Sequence, residues 1–247
     1  MLHAKHSYMP NQLGYCGPDS AGELLAHLED SSISQRMIRE LMKFEAAFPY
    51  IRLIAASTGK EPFEYEVPEA YWIGNPLLDT VKTNEFYEFS HSTITKRERA
   101  SVKKLFQLAG QRVVPHHSFH VISTFLPYIS KDGPDLQNES TRKILQQVEN
   151  CRISWGKVIE VRKRELVVER VPLEISERRF SVSSPRPSIV KYDPLVKPFD
   201  VVKPGDNVSL HWGFACEILT RGQLENLIRY TLLDIRTVND MLARLKR

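Results

Sequence analysis

Two stretches of the chain combine residue types that do chemistry with backbone that would hold them in place. Asn11-Gln-Leu-Gly-Tyr-Cys-Gly-Pro-Asp19 sets a thiol, Cys16, between Gly14 and the pair Gly17-Pro18, a composition that confines the chain to a turn. The helix expected from about Ser20 puts that thiol near a helix N-terminus, where the macrodipole favours the thiolate. A lowered pKa of this kind would serve a nucleophile or a metal ligand. The second stretch, Pro115-His-His-Ser-Phe-His-Val121, reads as a loop running into a strand. On a strand His116, Ser118 and His120 share one face, while His117 and Phe119 point to the other. His116 and His120 are then too far apart for easy chelation, and His117 or His120 paired with the distant Cys16 is geometrically freer.

The three cysteines, Cys16, Cys151 and Cys216, are an odd number in a chain of 247 residues. Such a chain is long enough to form a core without staples, so free thiols or metal ligands are expected rather than a disulfide framework. With 42% hydrophobic and 26% charged residues, disorder and fibrous structure are disfavoured. The net charge of +4 is unevenly placed: residues 1–150 hold 16 Lys/Arg against 18 Asp/Glu, and residues 151–247 hold 18 against 12. That asymmetry points to a boundary near Cys151 and makes the second part a candidate for an acidic partner. No stretch approaches the roughly 20 apolar residues of a membrane helix, and the opening Met-Leu-His-Ala-Lys-His leads into polar sequence; a soluble, cytoplasmic protein is expected. A Walker or dinucleotide loop, a Gly-x-Ser-x-Gly elbow and a His-Glu-x-x-His pair are all absent, so nucleotide-driven chemistry and the commoner hydrolase mechanisms have no support.

The elements that must position these groups fall into two kinds. Residues 20–150 read mainly as helix. Ser34–Ser57 has helical apolar spacing interrupted at Pro49, Pro68–Val81 has Pro near its start, and Thr95–Leu108 and Ser140–Asn150 are further helices. Glu69-Ala-Tyr-Trp72 reads as a helix that buries Tyr71 and Trp72. From Cys151 the period changes to short β-branched runs on either side of the turn Arg162-Lys-Arg-Glu165. Five prolines between 181 and 204 predict a long loop or extended excursion. Strands resume over Val201–Leu219, and a helix from about Gln223 to Leu245, N-capped by Thr220, closes the chain. The expected architecture is α+β: a mainly helical domain over residues 1–150, then a small β-barrel with a C-terminal helix over 151–247.

Cys151-Arg-Ile-Ser-Trp-Gly-Lys-Val158, followed by strands and then Gly205-Asp206 through His211-Trp-Gly-Phe-Ala215 and a helix, resembles the HypC/HupF family of hydrogenase assembly chaperones. Those proteins are OB-like barrels with a C-terminal helix, and the resemblance covers roughly residues 151–240. It implies that Cys151 and His211 hold the iron destined for the Fe(CN)2(CO) unit of nickel–iron hydrogenases, with a hydrogenase large subunit or other maturation proteins as partners. Thiolate and imidazole suit iron carrying strong-field ligands, and a carrier should leave its metal incompletely enclosed. In this sequence Cys151 is internal, Trp155 stands where the family has proline, and the proline-rich stretch is longer. Residues 1–150 look like an uncharacterised prokaryotic family with no activity to carry over.

Three functions therefore compete. The first is a maturation or metallochaperone-like protein that binds iron through Cys151 and His211, with Cys16 as a third ligand. The second is an enzyme with Cys16 as nucleophile and His117 or His120 as base. The third, ranked last, is an OB-type nucleic-acid module, for which Arg162-Lys-Arg164 and Arg178-Arg179 supply charge but strand aromatics are few. Cys216 reads as a core residue, and a homodimer is left open.

Overall fold

The computed structural model describes residues 1–93, 103, 106–107, 113–125, 137–177 and 179–245. It is an α+β protein in which helices precede a closed five-stranded β-barrel and a long helix ends the chain. Among the described residues no helix is long and apolar enough to cross a membrane.

The chain opens with a helix absent from the sequence expectation, α1 (Leu2–Gln12), and continues with α2 (Ala21–Glu29), α3 (Gln35–Leu41) and α4 (Phe48–Thr58). The Ser34 hydroxyl caps α3 by accepting from Met37 N at 3.0 Å. Pro49 lies in the first turn of α4, where its missing N–H costs nothing, so it separates two helices as expected. Helix α5 (Glu66–Trp72) carries Pro68 in its first turn but stops at Ile73 instead of continuing to Val81. The following Gly74-Asn75-Pro76 cannot stay helical: Gly74 adopts φ +95°, and Asn75 caps a short 3-10 turn by accepting from Leu77 N at 3.0 Å. A Cβ on Gly74 would meet the Tyr230 ring at 2.2 Å. Gly74→Ala is thus expected to cost about 2–4 kcal/mol through overpacking and backbone strain, read as a lower urea midpoint at unchanged slope.

Helix α6 (Thr83–Thr93) follows, and the helix expected over Thr95–Leu108 falls mostly outside the described residues. The strand expected from Pro115 is in fact a helix, α7 (His117–Phe125). Among the described residues no strand pairs with it; it packs mainly against the C-terminal helix and against α8 (Glu139–Cys151), and helix formation pairs its backbone groups in that setting. His116 and His120 are therefore one turn apart, with His120 N reaching His116 O at 3.4 Å. Asn138 caps α8 through Ser140 N at 2.8 Å, and Cys151 is its last residue.

The barrel begins with β1 (Ser154–Val161) and β2 (Glu165–Arg170), joined at the predicted Arg162–Glu165 turn. A separate hairpin, β3 (Leu173–Ser176) with β4 (Arg179–Val182), precedes β5 (Arg186–Lys191), β6 (Asn207–His211) and β7 (Phe214–Leu219). The closed order is β1-β2-β5-β7-β6. Strand β5 and the end of β4 occupy part of the stretch 181–204, for which a long loop or extended excursion between strands is expected, so that stretch is partly strand. Pro187 fits there because β5 pairs along its length only with β2 and touches β7 at Lys191↔Phe214 alone, so no ladder bond is lost. Val158, Leu166, Val168, Val190, Val208 and Leu210 fill the interior. The C-terminal helix α9 (Arg221–Leu245) starts with a capping box: Gln223 N donates to Thr220 Oγ1 and Thr220 N to Gln223 Oε1.

A single apolar cluster runs from α1 through α4, α5 and α7 to β1, β7 and α9, and Lys5 of α1 pairs with Glu217 of β7 at 2.7 Å. Where α8 meets the barrel, Glu149 accepts from Arg152 Nε (2.8 Å), Arg170 Nη2 (2.7 Å) and Leu173 N (2.7 Å). Arg152 is only 1% exposed. Glu149→Ala would leave that guanidinium buried without its counter-charge, and a loss of about 3–5 kcal/mol is expected in chemical denaturation.

Candidate metal centre

Each candidate side chain reaches the site from a different element. Cys16 lies on the loop between α1 and α2, His117 opens α7, His120 sits one turn further on, Cys151 ends α8, and His211 ends β6. All five line one cavity of about 210 Å³, together with Trp72 and Trp212. The ring nitrogen and sulfur ligand atoms of His117, Cys151 and His211 lie within 4.8 Å of one another. Donor atoms around a tetrahedral ion stand roughly 3.3–3.8 Å apart, given metal–nitrogen and metal–sulfur bonds of about 2.1 and 2.3 Å. A bound ion would draw the three inward by about an ångström.

Local structure explains the convergence. The β6–β7 turn places Trp212 and Gly213 at φ +52° and +71°, a left-handed pair that matches the strand twist. Its Trp212 N donates to Asn150 O at 2.8 Å. The last turn of α8 is thereby tied to the hairpin, and Cys151 is brought beside His211.

The protons on the two imidazoles follow from their partners. His211 Nδ1–H donates to the His6 carbonyl at 2.6 Å, which leaves Nε2 bare; that atom is buried and has no hydrogen-bond partner among the described residues. An imidazole oriented through its other nitrogen by a backbone carbonyl is what a metal ligand requires. His117 meets three groups that compete for two protons. Its Nε2 is 2.8 Å from the Cys151 carbonyl, its Nδ1 is 3.0 Å from Tyr71 Oη, and Tyr71 O–H also reaches Ala46 O at 2.8 Å. A carbonyl can only accept, so His117 Nε2–H donates to Cys151 O and Nδ1 accepts from the Tyr71 O–H, which Ala46 O shares. Burial holds His117 well below the usual imidazole range, so the ring is neutral, and a bound ion would take the place of the Nε2 proton. The donor set fits a metal.

Burial governs the remaining charges. It lowers the pKa of His211 and of His120 to about 4, so both imidazoles are neutral at pH 7. It pushes the Cys151 thiol up to about 12, with Cys16 adding to the rise and the Trp212 indole N–H opposing it. Cys16 is also raised, mainly by burial. The thiolate expected from a helix dipole at Cys16 is overturned: α2 starts only at Ala21, beyond the reach of a dipole that fades within a turn, and desolvation dominates. Cys216 is buried in the core cluster, outside the cavity lining.

Around these residues lies a shell the sequence did not advertise. His6 of α1 stacks on Trp72 (5.4 Å, 16°), donates from Nδ1 to Leu2 O and accepts from Ser209 Oγ. Trp72 also contacts His117 and His211, at 4.6 and 5.6 Å between ring centroids. The only sequence signal for Trp72 was its place in a core helix; His6 had none.

Fold and cavity together define an α+β protein whose helical part and barrel jointly enclose a His-Cys-His group. The chain belongs to the family of unknown function DUF6390, whose model matches residues 1–245. No match to the HypC/HupF family accompanies it. No curated protein and no solved structure matches the chain.

Proposed function

We propose that the protein is a metallochaperone-like assembly factor that holds a transition-metal ion at His117, Cys151 and His211 and hands it on. The observation that carries this reading is the convergence of two buried imidazoles and a thiol from three separate elements, one imidazole having a bare, unpartnered Nε2. Three protein ligands leave a coordination position open, as suits a carrier. A mixed imidazole and thiolate set accepts iron or zinc. Iron as cargo, delivered to a nickel–iron hydrogenase large subunit or a maturation partner in the cytoplasm, is the finer form of the proposal. It draws on the motif around Cys151 and His211 and on an OB-like reading of the barrel. With the β3-β4 hairpin set aside, the strand order becomes 1-2-3-5-4 with one parallel pair, which supports that reading.

The nucleic-acid alternative gains nothing: the barrel-strand aromatics Trp155 and Phe214 are buried, so they offer no stacking platform. The test is anaerobic purification after co-expression with a hydrogenase maturation system, followed by metal analysis and infrared spectroscopy. Stoichiometric iron with metal-bound cyanide and carbon monoxide bands is expected. Zinc alone would overturn the hydrogenase form, and no bound metal would overturn the proposal as a whole.

A further inference from the structure

We propose that the loop from Leu13 to Asp19 is the gate of the metal cavity and that Cys16, carried on it, is the transfer ligand through which the ion enters and leaves. This rests on the metal reading above.

Tyr15 and Cys16 line the inner cavity, and the same two residues, with Gly17 and Pro18, also line a second, separate concavity, Ala46 being the other residue common to both. The loop thus forms part of the wall between cavity and surface. Cys16 faces the cavity but does not belong to the set of ligand atoms within 4.8 Å of one another; it is a thiol beside the site rather than in it. The space between is ample, since about 210 Å³ is several times the roughly 30 Å³ share of one water in the liquid. Independently of the thiol, a buried polar atom on the cavity lining, Nε2 of His211, a residue only 3% exposed, has no hydrogen-bond partner among the described residues.

On the inner side the loop is tied to α1, Gly14 N donating to Asn11 O at 3.0 Å and Tyr15 N to Pro10 O at 2.9 Å; on the outer side one stack holds it. Tyr15, 59% exposed, stacks on Trp212 at 4.1 Å and 14°, directly beside the residue that carries the bare Nε2. Behind it, the Asn11 amide donates to the carbonyls of Cys16, at 2.9 Å, and Pro18. Gly14 and Gly17, at φ +73° and +81°, bracket the segment. Lifting Tyr15 from Trp212 would expose the site and move Cys16 with the loop. In the transfer, the metal–sulfur bond to Cys151 breaks as one to Cys16 forms, and the proton leaving the Cys16 thiol ends on Cys151. Nothing is oxidised or reduced.

The test uses the full chain loaded with Zn(II), in wild type, Cys16→Ser and Tyr15→Ala, with metal stoichiometry and the rate of loss to excess chelator as readouts. Cys16→Ser should keep wild-type stoichiometry and exchange roughly tenfold or more slowly. Tyr15→Ala, which loses the stack on Trp212, should exchange several-fold faster at unchanged stoichiometry. Exchange at the wild-type rate in Cys16→Ser, with metal still bound, overturns the transfer role and leaves the metal reading standing. Loss of stoichiometric binding in that variant makes Cys16 a resident ligand and equally overturns the role. Wild-type rates in Tyr15→Ala overturn the gate. If the wild type binds neither zinc nor Fe(II), the metal reading fails and this inference with it.

Discussion

Replacing His211 by alanine is expected to weaken metal binding by well over the roughly 10–100-fold that loss of a supporting second-layer partner costs, because it removes a donor outright. The substitution deletes the bare Nε2 and leaves an ion with His117 and Cys151 alone. Cys151→Ala should be at least as severe, since the thiol is the only anionic ligand in the group. A chelator-competition titration with zinc or cobalt measures both effects. Cys216→Ala provides the control: its sulfur is buried in the core cluster and bonds weakly to Phe214 O at 3.5 Å, so stoichiometry should hold even if stability drops. Wild-type affinity in both His211→Ala and Cys151→Ala would remove the site from consideration.

Acid should unfold the metal-free protein cooperatively between about pH 6 and 4. His3, His120 and His211 have pKa values lowered to about 4 and His6 to about 3, all by burial. Each is neutral in the native state and becomes protonated near pH 6.5 once unfolded. The unfolded chain therefore binds more protons across this window, and stability falls as pH drops from about 6.5 towards 4, by about 1.4 kcal/mol per pH unit for each histidine. His117, held well below the usual range by burial, adds to them; Glu217 and Asp234, which burial holds above the usual carboxylate range, act in the opposite sense but are two against five. The net slope of a few kcal/mol per unit would consume a typical stability of about 5–15 kcal/mol within two to three units. Urea midpoints measured from pH 8 down to 4 check this; a flat profile to pH 4.5 would show that the buried histidines are already charged in the native state.

The helix α1 shows why part of the fold was hidden. Its buried face carries His3, His6, Ser7 and Asn11 beside Leu2 and Ala4, so no apolar stripe marks it. The two histidines are buried at tolerable cost because they find partners far away in sequence: His3 Nε2 donates to Leu41 O, and His6 Nε2 accepts from Ser209 Oγ. The α7 segment misled in the other direction. Phe119, Val121 and Ile122 are strand-favouring types, yet all three are buried in a helix that packs on α8 and α9, Phe119 against Phe86 of α6. Propensity there is a weak prior that packing overrides.

By itself the sequence determined what depends on a few neighbouring residues. The Arg162–Glu165 turn and its flanking strands, the Thr220 cap of the last helix, the helix break at Pro49 and the change of period just after Cys151 all follow from local backbone preference and short-range hydrogen bonds. It also supplied Cys16, His117, His120, Cys151 and His211 as separate candidates, two of them through a resemblance. Only the tertiary structure decided that they share one cavity, that Cys16 stands on its wall, and that burial raises the thiols and strips the imidazoles of charge. Those outcomes depend on which surfaces are removed from water together, as when the Trp212 N–H meets the Asn150 carbonyl and draws α8 to the β6–β7 turn. Desolvation acts on the assembled neighbourhood, which no stretch of sequence contains.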